Sequence, residues 1–265
     1  MIKVNGKIIE PVKFPDGTKL LKQESCSNVT IKWYYESDDE LVTLIFLTRH
    51  LRDNGATNIE LSMLYVPNAR FDRIKDSDEV LTLKYFAEVI NWLSFNKVKI
   101  LDPHSYVSSA LFNNLTIYSP KDIINKFIED NFLDEISLNN FSLFFPDEGA
   151  CKRYSGMFNN AYTFGLKRRD WKTGEIQGLD IIGDEELIKD KTILIIDDIC
   201  SKGGTFYHSA KKLKELGAKD VYLYITHCEN TILEGDLLTS GLIKKVFTTN
   251  TIFTKEHEMI EVIKL

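Results

Sequence analysis

The sequence lacks the features of several common protein classes. No two cysteines form a Cys-x-x-Cys pair, so neither a zinc site nor a disulfide framework is expected. We expect free thiols in a reducing compartment instead. The strongest apolar run, Leu41–Leu47, is too short to cross a membrane, and no apolar signal segment follows Met1. With a net charge of −6 and no strongly basic patch, nucleic acid is not an expected partner. We therefore expect a cytoplasmic protein, either cellular or viral and acting in the host cytoplasm, with no membrane partner.

What the chain does contain is enough apolar material for two domains. It has 265 residues, of which 43% are hydrophobic. Strand and helix patterns alternate, and the alternation restarts after Tyr118-Ser119-Pro120. Alternation of this kind favours parallel sheets. We predict an α/β fold with two similar domains, residues 1–118 and 119–265, each with a mostly parallel sheet flanked by helices.

Periodicity and end signals predict most of the elements. Met1–Tyr35 is expected to form short strands and hairpins, and the polar stretch Asp170–Asp180 a loop suited to a lid. Helices are predicted at Asp38–Gly55, Thr82–Asn96, Lys121–Asn131, Lys152–Asn159 and Phe206–Leu216. Strands are predicted at Ile59–Val66, Val98–Leu101, Ser142–Phe145, Ala161–Leu166, Ile193–Ile196, Val221–Ile225, Val246–Thr248 and Ile260–Ile263.

The most informative segment is Thr192–Thr205, TILIIDDICSKGGT. A short aliphatic strand is followed at once by Asp197 and Asp198, then by Gly203-Gly204 and by Thr205 at a helix start. This order places ligand groups at the carboxyl end of a sheet. Glycine backbone N–H groups and a helix N-terminus bind anions, while carboxylates accept hydrogen bonds from sugar hydroxyls. The segment therefore predicts a ribose-phosphate site.

This segment closely resembles the phosphoribosyl-diphosphate signature of type I phosphoribosyltransferases and of ribose-phosphate diphosphokinases (PRPP synthetases). Other segments resemble the diphosphokinases only, in the same order along the chain. They are Phe14-Pro15-Asp16-Gly17 (family F-S-D-G-E), Pro67–Arg73 (Y-A-R-Q-D-R), Asp102-Pro103-His104-Ser105 (D-L-H), Pro146-Asp147-Glu148-Gly149 with Arg153 (P-D-x-G-x-x-x-R) and Leu166–Arg169 (D-K-R-R). Gly183-Asp184 also precedes the phosphoribosyl motif at the family's spacing.

The resemblance implies transfer of the β,γ-diphosphoryl group of ATP to the anomeric hydroxyl of a ribose 5-phosphate unit, with release of AMP. It implies Mg²⁺ as cofactor, bound by His104 and Asp147, and Lys167 and Arg169 as mobile catalytic cations. The implied ATP contacts are Phe14, Asp16, Arg70, Phe71, Asp72 and Arg73, and the implied ribose-phosphate contacts are Asp197, Asp198, Ser201, Lys202, Gly203, Gly204 and Thr205. In the family the hairpin carrying Phe14 serves the neighbouring subunit, so a homodimer or higher homo-oligomer is implied; Phe14 as an ordinary core residue is the competing interpretation.

Two departures from the family pattern concern the acceptor. The family loop reads D-D-x-x-D-T-G-G-T, whereas Ser201 replaces an Asp here and Lys202 replaces a Thr. Both changes make the loop more positive, beside the place where the family binds the 5-phosphate. Tighter capture of ribose 5-phosphate (product PRPP) would explain this. So would an acceptor with a diphosphate at that position, such as ADP-ribose (product ADP-ribose 1-diphosphate, in NAD metabolism), and both stay open.

Two other classes of function compete with the diphosphokinase. A phosphoribosyltransferase that consumes PRPP would not need His104, Arg70 or the cations at 167–169. A non-catalytic regulator related to PRPP synthetase would be expected to have lost the cations or metal contacts, but His104, Asp147, Lys167 and Arg169 are all present. The sequence therefore favours the enzyme that makes the ribose 1-diphosphate.

Overall fold

The computed structural model describes residues 1–169 and 176–265, and of residues 167–169, 176 and 177 the backbone only. Contacts divide the chain into two compact units, Met1–Ser119 and Pro120–Leu265. The helices are α1 (Asp39–Asp53), α2 (Thr82–Trp92), α3 (Tyr106–Leu111), α4 (Lys121–Ser137), α5 (Glu148–Tyr154) and α6 (Gly204–Glu215).

The strands precede, alternate with and follow these helices. They are β1 (Ile2–Val4), β2 (Lys7–Ile9), β3 (Val12–Lys13), β4 (Lys19–Leu20), β5 (Asn28–Trp33), β6 (Asn58–Ser62), β7 (Lys97–Leu101), β8 (Leu115–Tyr118), β9 (Phe141–Phe145), β10 (Tyr162–Arg169), β11 (Ile176–Ile182), β12 (Thr192–Cys200), β13 (Asp220–Cys228), β14 (Lys245–Thr249) and β15 (Ile260–Ile263).

The first unit is built on a six-stranded sheet in the order β2-β1-β5-β6-β7-β8. Strands β5 to β8 are parallel, and β1 is antiparallel to both β2 and β5. Helix α1 buries Leu44, Leu47 and Leu51, which share one face at helical spacing. Strands β3 and β4 form a separate two-stranded hairpin.

The second unit has a seven-stranded sheet in the order β11-β10-β9-β12-β13-β14-β15, parallel except for the antiparallel β10–β11 pair. Successive side chains of β12 enter different cores. Ile193 and Ile195 pack in the cluster that contains Phe206 of α6, whereas Leu194 and Ile196 pack with residues of α4 and α5. Because a strand presents alternate residues to opposite faces, helices cover both faces of this sheet. The predicted α/β class with mostly parallel sheets is confirmed.

The structure corrects the end of the loop that the sequence predicts before β12. Residues 176–180, predicted as the end of a loop, belong to strand β11, which pairs antiparallel with β10. The backbone pairing stabilises an edge strand whose Gln177, Gly178 and Asp180 give no apolar run. Residues 170–175 of that predicted loop lie outside the described residues. The predicted functional division into residues 1–118 and 119–265 stays a prediction. None of the helices in the described part of the chain has the length and apolar character that a bilayer crossing requires.

Candidate functional site

The acidic pair, Asp197 and Asp198, lies within strand β12. The sequence had predicted that the pair would follow the strand. The strand continues because Ile199 and Cys200 pair with His227 and Cys228 of the parallel strand β13. Asp198 is buried, and its Oδ1 lies 2.9 Å from Arg153 Nη1, an ion pair that offsets the cost of burying the carboxylate. The backbone N–H of Asp198 donates to Asp197 Oδ1 at 2.9 Å.

Asp147 brings a third carboxylate to the carboxyl edge of this sheet. It follows strand β9 directly and caps α5, where its Oδ1 accepts a hydrogen bond from the Ala150 N–H at 3.0 Å. Burial, and then the negative charges of Asp198 and Asp147, raise the pKa of Asp197 well above its ordinary value, while Arg153 lowers it. The arrangement places three carboxylates near the Arg153 guanidinium, which suits the binding of a cation or of hydroxyl donors.

The loop between β12 and α6 has a backbone geometry compatible with the predicted anion-binding nest. Gly203 has a φ of +81°, a left-handed conformation that glycine adopts without strain, and α6 begins at Gly204. A Cβ at Gly203 would lie 3.0 Å from Leu237 Cδ2, so the position is also tightly packed. Thr205 follows in the first turn of α6 and is partly exposed. Backbone N–H groups at the start of a 12-residue helix can bind one phosphate here.

A second segment, residues 229–237, packs against this loop and was not found from the sequence. The Ser201 hydroxyl lies 3.1 Å from Thr231 Oγ1, and Lys202 Nζ lies 3.2 Å from Glu234 Oε2. Gly235 touches the loop backbone, because a Cβ there would lie 1.9 Å from the Lys202 carbonyl oxygen. The only sequence signal was indirect: the segment follows β13, and adjacent parallel strands end at the same sheet edge.

In the first unit, the predicted adenine contacts occupy the β3–β4 hairpin. Phe14 is 50% exposed, which excludes the competing interpretation that it is a core residue. Asp16 Oδ1 accepts hydrogen bonds from the Thr18 hydroxyl at 2.7 Å and the Thr18 N–H at 2.9 Å, and these bonds lower the pKa of Asp16. Asp16 thus shapes the hairpin turn and remains a charged acceptor.

The remaining first-unit candidates follow the carboxyl ends of strands. Those after β6 lie between Ser62 and the start of α2, and Phe71 among them is 61% exposed; they are Arg70, Phe71, Asp72 and Arg73. His104 lies between β7 and α3, just before Ser105, whose hydroxyl caps α3. These five residues, unlike Phe14 and Asp16 on the hairpin, therefore occur where open parallel sheets bind ligands.

Lys167 and Arg169 lie in the last part of β10, where the backbone of Lys167 pairs with Leu179 of β11. Their side chains lie outside the described residues. Within the described residues, no group of three or more His, Cys, Asp or Glu side chains forms a ready metal cage. Asp147 and His104, the predicted Mg²⁺ contacts, belong to different units.

The two mostly parallel sheets, each flanked by helices, define an α/β protein with a type I phosphoribosyltransferase-like fold. The structure matches that of phosphoribosylpyrophosphate synthetase from Mycobacterium smegmatis with a TM-score of 0.80 at 19% identity, over 97% of this chain and 86% of that one. At this identity the match concerns the fold.

Sequence comparison gives relatives that share one name. No family model matches the chain. The ribose-phosphate pyrophosphokinase of Thermococcus kodakarensis is 28% identical over 93% of this chain and 86% of that protein, and the one of Saccharolobus solfataricus is 26% identical over 99% and 89%. The chain is similar to the ribose-phosphate pyrophosphokinases, as its motifs predicted, and this similarity supports an enzyme of the diphosphokinase type.

Proposed function

We propose that this protein transfers the diphosphoryl group of ATP to the anomeric 1-hydroxyl of a ribose 5-phosphate unit. The observation that carries the proposal is the edge of the second sheet, where Asp197 and Asp198 are followed within five residues by the Gly203 nest at the start of α6. Carboxylates suit the sugar hydroxyls, and the nest suits the 5-phosphate. The names of the sequence relatives support the same reaction.

In this reaction the 1-hydroxyl oxygen bonds to the β-phosphorus of ATP while the bond from that phosphorus to the α,β-bridging oxygen breaks. AMP leaves with the bridging oxygen, and the hydroxyl proton is released. Catalysis of such a step is mainly positioning and neutralisation of charge. We propose that Lys167 and Arg169 supply cations to the transferred group, and that Arg70, Phe71, Asp72 and Arg73 bind ATP together with Phe14 and Asp16.

The carboxylate cluster fits the Mg²⁺ that the family implies. Burial first, and then the carboxylates of Asp198 and Asp147, raise the pKa of Asp197, so a hard divalent cation would relieve the repulsion there. Mg²⁺ keeps several waters and takes few protein ligands, which agrees with a site of only one or two side chains. We propose Asp147 and His104 as those ligands. The cation, when bound, would neutralise phosphate charge.

For the acceptor we propose ribose 5-phosphate first. The names of the relatives support it, and so does the Lys202–Glu234 ion pair, because the Glu234 carboxylate offsets the positive charge that Lys202 adds to the loop. ADP-ribose is the second candidate. Both partners of the pair are more than half exposed, and exposed pairs contribute only about 0–1 kcal/mol, so Lys202 is available to a second phosphate.

One assay compares these acceptors. The protein is incubated with Mg·ATP and either ribose 5-phosphate or ADP-ribose, and AMP release is measured for each. Release with ribose 5-phosphate supports the first acceptor, and release with ADP-ribose alone supports the second. Diphosphate release from PRPP and a nucleobase, without AMP formation from ATP, would instead indicate a phosphoribosyltransferase.

Replacement of Lys202 tests its role in the choice of acceptor. If Lys202 neutralises a second phosphate, Lys202→Thr lowers kcat/KM for ADP-ribose by at least about tenfold and changes that for ribose 5-phosphate much less, since a charge-assisted contact contributes about 1.5–3 kcal/mol. Lys211→Thr, on the exposed part of α6, is the control. Equal losses for both acceptors would mean that Lys202 only strengthens binding of the ordinary 5-phosphate.

A further inference from the structure

A chain of hydrogen bonds fixes the polarity of the Ser201 hydroxyl. Thr231 Oγ1 lies 3.0 Å from Glu229 Oε2, and because a carboxylate only accepts, Thr231 is the donor. The single hydroxyl proton of Thr231 is then used. In the 3.1 Å contact between Ser201 Oγ and Thr231 Oγ1, Ser201 must therefore donate and Thr231 accept. The proton of Ser201 points toward Thr231, and Ser201 Oγ presents lone pairs to its other side.

The segment that holds Thr231 is itself anchored. The Glu229 N–H donates to the Cys200 carbonyl at 2.8 Å, which ties the segment to the end of β12. Asn230 exchanges two hydrogen bonds with Thr254, at 2.9 and 3.0 Å. These bonds hold Thr231 beside the loop, so the polarity of Ser201 is a property of the folded unit.

We infer that Ser201 is an obligate hydrogen-bond acceptor for a sugar hydroxyl, and that Thr231 and Glu229 are the positioning residues that make it one. The inference rests on the proposed function, because it concerns how that same site reads the ribose. Ser201 lies between the acidic pair at Asp197–Asp198 and the nest at Gly203, where a ribose would connect the groups they bind. It stands where the family pattern has an aspartate, which is also an acceptor only.

The hydrogen-bond chain from Ser201 through Thr231 to Glu229 also affects which groups can bind beside the anion site. A serine free to rotate could donate to a phosphate, whereas a serine locked as an acceptor favours hydroxyl groups and disfavours anions at that point. The Glu229 carboxylate fixes the Ser201 hydroxyl through Thr231, which lies between them in the hydrogen-bond chain. The carboxylate itself therefore does not need to contact the ligand. The loop thereby discriminates sugar from phosphate without an aspartate in its own sequence.

The test compares binding of ribose 5-phosphate, of its 2-deoxy and 3-deoxy analogues and of inorganic phosphate by titration calorimetry. We expect the wild-type protein to prefer ribose 5-phosphate over at least one deoxy analogue by about tenfold or more, since a site built to bond a hydroxyl rejects a ligand without it. Thr231→Val removes the acceptor for the Ser201 proton. It should reduce that preference at least about fivefold and leave phosphate binding unchanged or tighter, because the freed hydroxyl can then donate to the anion.

Two variants and one double variant serve as controls. Thr231→Ser keeps the hydroxyl and should retain the wild-type preference. Ser201→Ala should abolish the preference, and adding Thr231→Val to it should change nothing further, since the two act through one contact. Should Thr231→Val not fold, as judged by circular dichroism, Glu229→Gln replaces it: the glutamine amide can donate to Thr231 and reverse the chain, with the same expected loss of preference.

Several results would overturn the inference. One is a Thr231→Val or Glu229→Gln variant with undiminished preference. Another is an equal weakening of ribose 5-phosphate, both analogues and phosphate, which would indicate a merely structural role. A wild-type protein without preference among the sugars, or without affinity for ribose 5-phosphate, would overturn it as well. Failure of the proposed function looks different: the wild-type protein would bind ribose 5-phosphate with the stated preference and yet release no AMP from ATP.

Discussion

At the scale of single residues, the ionisation of the Asp197 carboxyl makes the free energy of unfolding depend on pH. Burial and the carboxylates of Asp198 and Asp147 raise its pKa, so the folded state holds this proton more tightly than the unfolded state does. Its contribution to stability is therefore fully present below the ordinary carboxyl pKa near 4 and is lost as the pH rises through the raised value. At neutral pH the raised pKa of Asp197 therefore costs free energy of folding, because the unfolded chain ionises this carboxyl more readily. A bound cation would offset that cost.

Asp197→Asn should remove this cost. In metal-free buffer we expect the variant to melt at a higher temperature than the wild type near neutral pH, with the difference shrinking as the pH falls toward about 4, where the wild-type carboxyl is protonated too. Thermal melts followed by circular dichroism between about pH 4 and pH 8 measure this, with Asp130→Asn on exposed α4 as the control. A constant difference across that range would contradict the role given to charge.

The close packing of Gly235 against the loop leads to a second prediction for a single residue. Because a Cβ at this residue would lie 1.9 Å from the Lys202 carbonyl oxygen, Gly235→Ala must displace the loop backbone. We expect a loss of about 1–3 kcal/mol in the free energy of unfolding and a marked loss of affinity for the ribose-phosphate acceptor. Urea unfolding and calorimetry measure the two effects. Gly156→Ala, where a Cβ meets open space, should change neither; normal acceptor binding by Gly235→Ala would refute the tight contact.

At the scale of elements, the β3–β4 hairpin is held by a buried lysine. The Lys19 side chain is only 5% exposed; its Nζ lies 2.8 Å from Asp39 Oδ1 and donates to Thr43 Oγ1 at 3.0 Å. Lys13 adds a second contact to Asp39 at 3.2 Å. The hairpin is thus fixed on helix α1 while Phe14 at its tip stays half exposed, so the ring is accessible to a ligand if one binds there.

Truncation of Phe14 separates ligand binding from packing. Phe14→Ala should leave the melting temperature nearly unchanged, because an exposed ring contributes little to the core, and should raise KM for ATP several-fold by loss of stacking on the adenine. Val12→Ala, an exposed residue on the same hairpin, is the matched control and should change neither quantity. An unchanged KM in Phe14→Ala would remove the ring from the ATP site.

Elements with strong local signals were predictable from the sequence, and elements formed by pairing were not. The core of β12 and the start of α6 followed from an aliphatic run and a glycine turn, and the structure places them within a few residues. Helix α3 and strand β11 were missed, because α3 has six residues and β11 depends on its partner β10. The contact between Ser201 and Thr231 was also missed, because it joins residues 30 apart through the parallel pairing of β12 and β13.

At the scale of the whole molecule, two units of related layout contribute residues to one proposed reaction. Each unit has a mostly parallel sheet, and several of the predicted ligand residues lie at or just after the carboxyl ends of its strands. The fold matches phosphoribosylpyrophosphate synthetase over 97% of the chain, so the similarity includes both units. Only the proposed diphosphoryl transfer uses both sets of residues, since a phosphoribosyltransferase would not need the first.

The central claim is tested most directly by following the β-phosphorus of ATP. The protein is incubated with Mg²⁺, ATP labelled at the β-phosphate, and ribose 5-phosphate or ADP-ribose, and the products are separated. The account predicts that the label appears in the 1-diphosphate of the acceptor and that unlabelled AMP forms in equal amount. Label recovered in ADP, which would mean transfer of the γ-phosphoryl group alone, or label left in ATP with both acceptors, would contradict it.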